Sequence, residues 1–405
     1  MRTIKPAERL NDFSYAIRDV VAAAKSLEAA GQKVRYFNIG DPQAFGFRPP
    51  RFLVDAVSAA CARQFTGYAH SLGLPAARSA VAAYASKLGA ETSLDDVVMT
   101  AGASEAADLL LTALLNPGDE VLVPSPGYPL YPAILRKLNA VGVPYHLDAK
   151  EGWKPSVQEL TELANKRTRA IVLINPSNPT GAVTPDELTK DVLELADTLD
   201  LLVISDEVYR ELTFGKSPKS ASSLADGTGP AIVTLESLSK THMLSGWRVG
   251  WMRFTNQKRM SGLFDTVTKL AGGRLCSPTP AQYAVAPALG LGNQSVQSFV
   301  EEVKSRRDYA VAEINNTKGL SCSAPDAAFY LMVKCDDPNY SSDVDMVLRL
   351  LESTGIVVVP GSGFGCSPEQ RYFRFVYLAN KVVLSSAMKL MRDFFGQRSA
   401  DAASN

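Results

Sequence analysis

Lys240 is placed where a lysine could do chemistry rather than lie solvated on a surface. It sits in Ser237-Leu238-Ser239-Lys240-Thr241-His242, directly after an apolar stretch and between hydroxyls. Arg248 follows eight residues on, in Ser245-Gly246-Trp247-Arg248-Val249-Gly250. Hydroxyls, an ammonium and a guanidinium are suitable partners for a phosphate, and the guanidinium can bind two oxygens at once. An amine held among cations and partly desolvated loses basicity, becomes nucleophilic and can condense with a carbonyl. Histidine offers little competition for proton transfer, because only His70, His146 and His242 occur. That scarcity nearly excludes a multi-histidine metal centre; packing or surface roles are expected for His70 and His242, the latter otherwise lining the pocket, and His146 reads as a strand residue.

Two further strings also follow apolar runs. Leu201-Leu202-Val203-Ile204-Ser205-Asp206-Glu207-Val208-Tyr209 reads as a strand that ends in a carboxylate, at the edge where parallel sheets bind ligands. Against a pyridine nitrogen, Asp206 would keep that nitrogen protonated and the ring an electron sink. Tyr209 could then donate to a phenolic oxygen. Taken alone, Asp206 reads equally as a cap or a loop acid. Ile174-Asn175-Pro176-Ser177-Asn178-Pro179-Thr180-Gly181 is a rigid non-helical turn, either that and no more or one whose Asn178 meets a ligand. A phosphate anchor, a carbonyl trap and an electron sink together are what pyridoxal phosphate requires.

N-P-x-N-P-T-G, S-D-E-x-Y and S-x-S-K with its downstream arginine occur here in order along the chain. Together they resemble class I aminotransferases of the fold-type I pyridoxal-phosphate superfamily, over nearly the whole length. The resemblance implies that catalytic Lys240 carries the cofactor as a Schiff base and that Asp206 pairs with its pyridine nitrogen. It gives Tyr209 and Asn178 to the ring oxygen, and Ser237, Ser239 and Arg248 to the phosphate. Thr100-Ala101-Gly102-Ala103-Ser104-Glu105 matches a turn whose amides, at Ala103 and Ser104, hold phosphate at a helix N-terminus; by itself it is also an ordinary glycine turn capped by Ser104. Tyr128, in Pro126-Gly127-Tyr128-Pro129, matches the aromatic stacked on the cofactor ring. Tyr68, in Tyr68-Ala69-His70-Ser71-Leu72-Gly73-Leu74-Pro75, matches a tyrosine that reaches the phosphate across a dimer. A homodimer with composite active sites is therefore implied. Arg374, in Tyr372-Phe373-Arg374-Phe375, would hold the substrate α-carboxylate, although a strand arginine between aromatics is otherwise an edge charge. Gly40, in Asn38-Ile39-Gly40-Asp41-Pro42, would approach the substrate through its amide, with Asn178 nearby.

Three segments, N-I-G-D-P-Q-A-F-G-F, S-Y-A-I-R and R-L-C-S-P-T-P-A-Q, resemble the bacterial alanine aminotransferase branch. The implied reaction is L-alanine with 2-oxoglutarate, giving pyruvate and L-glutamate by ping-pong kinetics. Such a site must admit both a methyl group and a distal carboxylate. Arg274 is the candidate for that carboxylate, its alternative being a surface or interface arginine. Tyr15 either closes over the site or packs beneath it. The competing expectations are an aspartate or aromatic specificity, a cystathionine β-lyase-like elimination, and a non-enzymatic regulatory domain built on this fold. Gly361-Ser362-Gly363-Phe364-Gly365 could suggest a nucleotide loop, but Cys366-Ser367-Pro368 follows instead of a helix, so it reads as a plain loop.

Short strands must carry these strings to one edge. They are expected at Val34 to Ile39, Val97 to Met99, Glu120 to Val123, Ala170 to Ile174, Leu201 to Ser205, Ile232 to Leu235 and Val249 to Arg253. Helices lie between several of them, one near Tyr15 to Ala30 closed by Gly31 and one opened by a Thr184-to-Glu187 capping box. The alternation predicts an α/β fold, with a mostly parallel sheet covered on both faces. After about residue 310, strands at Phe329 to Val333, Ile356 to Val359 and Tyr372 to Tyr377 predict a smaller α+β domain. It ends in a helix from Val382 to Phe395 and a frayed tail from Ser399 to Asn405. The expected divisions are an N-terminal segment 1–50 belonging to the small domain, a large cofactor domain 51–309 and a C-terminal small domain 310–405. With 405 residues, 42 basic and 42 acidic side chains, 46% hydrophobic content and 21% charged content, the chain is an ordinary globular one. Zero formal net charge gives no general pull toward nucleic acid or anionic membranes. Five dispersed cysteines, no signal sequence and no bilayer-length apolar run make the cytoplasm the expected location.

Overall fold

The structure is a computed structural model describing residues 4–10, 17–225, 229–291 and 296–401. Strands β1 (Arg35–Tyr36), β2 (Val97–Thr100), β3 (Glu120–Ser125), β4 (Val141–His146), β5 (Thr168–Ile174), β6 (Leu202–Asp206), β7 (Ile232–Ser237) and β8 (Gly250–Thr255) form in chain order. All but β1 join one sheet, ordered β2-β8-β7-β6-β5-β3-β4. β8 runs antiparallel to both neighbours and the remaining pairs are parallel. Val121, Val172, Ile204 and Val233 pack into one apolar cluster with residues of the helices Ala103–Leu114, Leu130–Leu138 and Ser261–Gly273. Leu122, Ile171, Val203 and Ile232 pack into another, with the helices Val157–Leu163 and Asp186–Thr198. Successive residues of one strand thus serve opposite cores, which is why these strands read as unbroken apolar runs. Each fully buried Val or Ile contributes about 1.5–3 kcal/mol. β5 and β6 are therefore firm anchors for the strand edge that carries Asp206.

A second sheet stands against the first. It comprises β9 (Leu320–Ser321), β10 (Tyr330–Cys335), β12 (Val359–Pro360) and β13 (Tyr372–Val376), after β11 (Ile356–Val357) has paired in parallel with β1. The order β12-β13-β10-β9 is antiparallel and sets Arg374 between Val359 and Met332. The β1–β11 pair brings the helix Ile17–Ala29 against the helix Asp343–Thr354. Phe37 thereby joins the same core as Phe329, Phe373 and Phe375. The architecture is the expected α/β one, a mostly parallel helix-covered sheet with a smaller α+β layer. Among the described residues, no helix is long and apolar enough to cross a membrane.

Local differences from the sequence expectations have local causes. The helix Ile17–Ala29 stops before Gly31, which takes φ +84° as expected of a helix end, while Tyr15 lies outside the described residues. The strand expected from Val34 to Ile39 shrinks to β1, because the Asn38 carbonyl turns away to accept from Arg374. Ile356 to Val359 is two strands, parting at Val358 where the chain passes from β1 to β13. The capping box at Thr184 does not form: the helix begins at Asp186 with no side-chain cap. Thr184 is instead held by Asn175, which accepts from its N–H at 3.0 Å and donates to its carbonyl at 3.1 Å. β4 escaped the sequence pattern because it is an edge strand, mostly exposed and broken by Pro144. The last helix runs from Lys381 to Asp401, so the tail expected to fray from Ser399 is helical to 401 and lies outside the described residues beyond it.

Candidate active site

The carboxyl ends of β5, β6 and β7 lie side by side, with Ile174 opposite Asp206 and Asp206 opposite Leu235. The loops leaving this edge, the start of the helix Ala103–Leu114 and the inner face of β13 enclose a cavity of about 230 Å³. Gly40, Ala103, Ser104, Tyr128, Asn178, Asp206, Tyr209, Ser237, Ser239, Lys240, Arg248 and Arg374 all line it. Residues more than 300 positions apart in sequence are thus gathered on one hollow.

Asp206 is its buried acid, 7% exposed. Oδ2 accepts from the Tyr131 hydroxyl at 2.9 Å and Oδ1 from the Val208 N–H at 3.3 Å. Burial pushes the carboxyl up to about 6, and the two hydrogen bonds restrain the rise. The neighbouring Glu207 faces the other way, into a buried ion cluster with Arg210, Glu236 and Arg253. The two adjacent acids therefore have separate partners, and only Asp206 is presented to the cavity.

Lys240 Nζ donates to the Gly40 carbonyl at 2.7 Å. Gly40 thus meets the lysine through its carbonyl, whereas its sequence suggested an amide turned to substrate. A larger residue would force the Tyr330 ring to shift, since a Cβ there would stand 2.4 Å from its hydroxyl. That hydroxyl is 2.6 Å from the hydroxyl of Tyr209. The Gly40 loop is pinned to the lysine loop, because Ser245 Oγ donates to Asp41 Oδ1 at 2.8 Å and Gln43 Nε2 donates to the Met243 carbonyl.

At the opposite end, the helix Ala103–Leu114 opens on Gly102, whose φ is +80°. The first amides of a helix lack internal partners and carry positive potential. Arg248 stands beside them, donating from Nη2 to the Ala101 carbonyl and from Nη1 to the Ser245 carbonyl, both at 3.0 Å. A Cβ on Gly102 would lie 2.4 Å from Arg248 Nη2, and one on Gly250 would lie 2.6 Å from the Gly102 carbonyl carbon. Two glycines therefore permit this close packing. With buried Ser237 and Ser239 on the same wall, the arrangement is a cradle for a phosphate-sized anion.

Arg374 is clamped between two rings, its guanidinium 4.5 Å from the centroid of Tyr330 and 4.5 Å from that of Phe364. Nη1 donates to Asn178 Oδ1 at 3.0 Å and Nη2 to the Asn38 carbonyl at 2.9 Å. Stacking fixes the plane of the fork, which suits two-point capture of a carboxylate. Phe364 comes from the glycine-rich 361–365 string, a 3-10 turn here, so that plain loop borders the site. Asn178, expected on a ring oxygen or the substrate, spends its side-chain oxygen on Arg374.

Tyr68 and Arg274 are not brought into this cavity. Tyr68 stands 83% exposed on the chain surface. Arg274 Nε lies 3.1 Å from Glu105 Oε2, and Nη2 donates to the Met99 carbonyl at 2.8 Å, so its guanidinium is held behind the cradle. Tyr131, Tyr330, Phe364 and Ser245 were given no role from sequence, although Ser245 and Phe364 lie within strings quoted above. His242 is buried, and burial pushes it down to about 4, which leaves a neutral packing residue. His146 pairs with Glu159 on the surface, and His70 Nδ1 accepts from the Leu72 N–H.

These residues fit pyridoxal phosphate. The buried Asp206 carboxyl, at the cavity wall, suits a protonated ring nitrogen. The glycine-lined helix start and Arg248 suit its phosphate, Lys240 offers an amine for its carbonyl, and Tyr128 supplies an aromatic on the cavity wall.

Comparison with known proteins agrees. Alanine aminotransferase of Mycobacterium tuberculosis is 35% identical over 403 residues, covering 97% of this chain and 93% of that protein. Glutamate-pyruvate aminotransferase AlaA of Escherichia coli K12 is 35% identical over 388 residues, covering 93% and 94%. The solved structure of alanine aminotransferase from Pyrococcus furiosus superposes with a TM-score of 0.94 at 34% identity, covering 97% of this chain and 100% of that one. Residues 33–383 match the family described as aminotransferase class I and II. A buried acid, a lysine and a cradle for a phosphate-sized anion thus line one cavity of a chain that belongs to the class I and II aminotransferases, enzymes dependent on pyridoxal phosphate.

Proposed function

We propose that the chain moves the amino group of L-alanine to 2-oxoglutarate, releasing pyruvate and L-glutamate in a ping-pong cycle. The observation that carries the reading is that the ring-clamped Arg374 and the amine of Lys240 share one cavity with Asp206. Alanine as donor is supported by the names of the relatives, each similar over nearly the whole chain.

Bound pyridoxal phosphate supplies an electrophilic carbonyl and an electron-withdrawing ring. The chain's own residues do the rest. Arg374 holds the α-carboxylate of either substrate and so orients its Cα. Lys240, once its amine is free, takes the Cα proton and returns it on the other side of the transfer. Asp206 would keep the ring nitrogen protonated, Tyr209 and Asn178 would bind the ring oxygen, and Tyr128 would offer the ring an aromatic face. Ala103, Ser104, Ser237, Ser239 and Arg248 would retain the phosphate. One lysine acting as carrier, base and acid leaves no proton step for a histidine.

Tyr68 completes the phosphate site of a second copy in this reading, making the enzyme a homodimer with composite sites. Its exposed ring supports that surface as the place of contact. A cytoplasmic location belongs to the same reading and is supported by five unpaired cysteines.

The test is the visible spectrum of the purified protein with cofactor. L-alanine should deplete the cofactor's visible band and 2-oxoglutarate should restore it, with Lys240→Ala abolishing the cycle. Absence of any band after added cofactor overturns the whole reading. If aspartate or tyrosine cycles the band far faster than alanine, the alanine assignment alone fails. Pyruvate and thiol release from cystathionine would instead mark an elimination.

A further inference from the structure

We propose that Arg274 is a positioning residue of the phosphate cradle: by pairing with Glu105, it keeps that carboxylate from competing with phosphate at the start of the helix Ala103–Leu114. The inference rests on reading that helix start, with Arg248, as the phosphate site. Glu105 lies in the first turn of the helix, where a carboxylate is drawn by the same partnerless amides that an anionic ligand uses. Its Oε2 accepts from the Ala101 N–H at 2.7 Å. The Ala101 peptide is therefore gripped on both sides, since its carbonyl accepts from Arg248 at 3.0 Å. Unpaired, Glu105 would hold a full negative charge within one helical turn of a phosphate dianion.

Arg274 removes that conflict. Its Nε is 3.1 Å from the same Oε2, and the ion pair is largely sheltered, with side chains 17% and 25% exposed. The other arm of the fork is fixed: Nη2 donates to the Met99 carbonyl at 2.8 Å and Nη1 to the Ser71 carbonyl at 3.4 Å. One guanidinium thus joins the end of β2, the segment that carries Tyr68 and the first turn of the cradle helix. A lysine could neutralise Glu105 but could not span all three, because its ammonium lacks the planar fork. The residue expected to read a substrate carboxylate instead governs a protein one.

Apoprotein titrations with pyridoxal phosphate, with pyridoxal and with inorganic phosphate test this. Arg274→Met should weaken pyridoxal phosphate and inorganic phosphate about tenfold, while pyridoxal, which has no phosphate to be repelled, is unchanged. Adding Glu105→Gln to Arg274→Met should restore phosphate affinity to within about twofold, which a merely structural role cannot do. If Arg274→Met does not fold, Arg274→Gln carries the same comparison. Unchanged phosphate affinity in both single variants overturns the proposal, and so does an equal loss for pyridoxal that Glu105→Gln does not rescue. Arg248→Met separates the two levels. If it too leaves the ratio of pyridoxal phosphate to pyridoxal affinity unchanged, the phosphate reading itself fails. If that ratio collapses in Arg248→Met but not in Arg274→Met, only the pairing is wrong.

Discussion

The Tyr131 hydroxyl donates to Asp206 Oδ2 at 2.9 Å, from a side chain that is 1% exposed. The helix Leu130–Leu138 therefore reaches across to restrain the rise that burial imposes on the strand-end acid. Asp206 is raised from 3.8 to about 6 in the folded chain. The folded apoprotein thus binds this proton more tightly than the unfolded chain does. Its stabilising contribution is complete below about pH 4 and is lost as pH rises through about 6, a change of about 3 kcal/mol. Urea unfolding of the apoprotein between pH 4 and 7 should show that loss, and Asp206→Asn should lack it. Tyr131→Phe removes one of the hydrogen bonds that restrain the rise, so its window should move upward by about one unit. A window that stays put or moves down would contradict the role given to Tyr131.

Gly40→Ala should damage substrate capture more than cofactor binding. The added Cβ would stand 2.4 Å from the Tyr330 hydroxyl, and the ring it displaces is one of the two that clamp Arg374. Steady-state kinetics should show KM for the amino donor raised about tenfold, with cofactor affinity within about twofold. Gly40→Ala with Tyr330→Phe, which deletes the nearest clashing atom, should recover part of the loss. Equal loss of cofactor and substrate binding would instead mean a general disturbance of the lysine loop.

Arg374→Lys keeps the charge and loses the fork. Two charge-assisted hydrogen bonds become one, and a flexible ammonium replaces a plane held between Tyr330 and Phe364. kcat/KM for the amino donor should fall at least about a hundredfold. Phe364→Ala leaves the fork but removes one ring, so the loss should be smaller, about 1 kcal/mol or fivefold. If Phe364→Ala equals Arg374→Lys in effect, the ring contributes more than orientation.

The order of elements was legible because each buried strand of the main sheet carries apolar residues on both faces, as Ile171, Val172, Val203 and Ile204 do. Edge strand β4 and the two-residue strands were not, since a proline or a change of sheet breaks any periodic signal. In the site, residues inside local strings could be read: Lys240, Asp206 and Arg248 are short-range features of single loops. Tyr131, Tyr330 and Phe364 act through contacts 75, 121 and 10 positions away, with Asp206, Tyr209 and Arg374. No local pattern marks a side chain whose partner lies on another element. Arg274 shows the converse case. Its type suited a carboxylate, but only packing could tell which one, and Glu105 is the one beside it.

Tyr68 supplies the sharpest test of a composite site. Its ring is 83% exposed and outside its own chain's cavity, so a role at a phosphate requires a second copy. A subunit with Lys240→Ala keeps Tyr68 to lend, and a subunit with Tyr68→Ala keeps Lys240 to use. In a hybrid dimer the Lys240 site then receives an intact tyrosine, whereas the other site has neither. Refolding an equal mixture should yield hybrids as half of all dimers, each with one sound site, and so about a quarter of the wild-type activity per subunit. The readout is best taken at limiting cofactor, where loss of a phosphate contact depresses the Tyr68→Ala homodimer most. Recovery to that level requires both the dimer and the exchange of Tyr68 across it. No recovery from a mixture that sedimentation shows to contain dimers would remove Tyr68 from the site and leave the dimer standing; a monomer in that run would remove both.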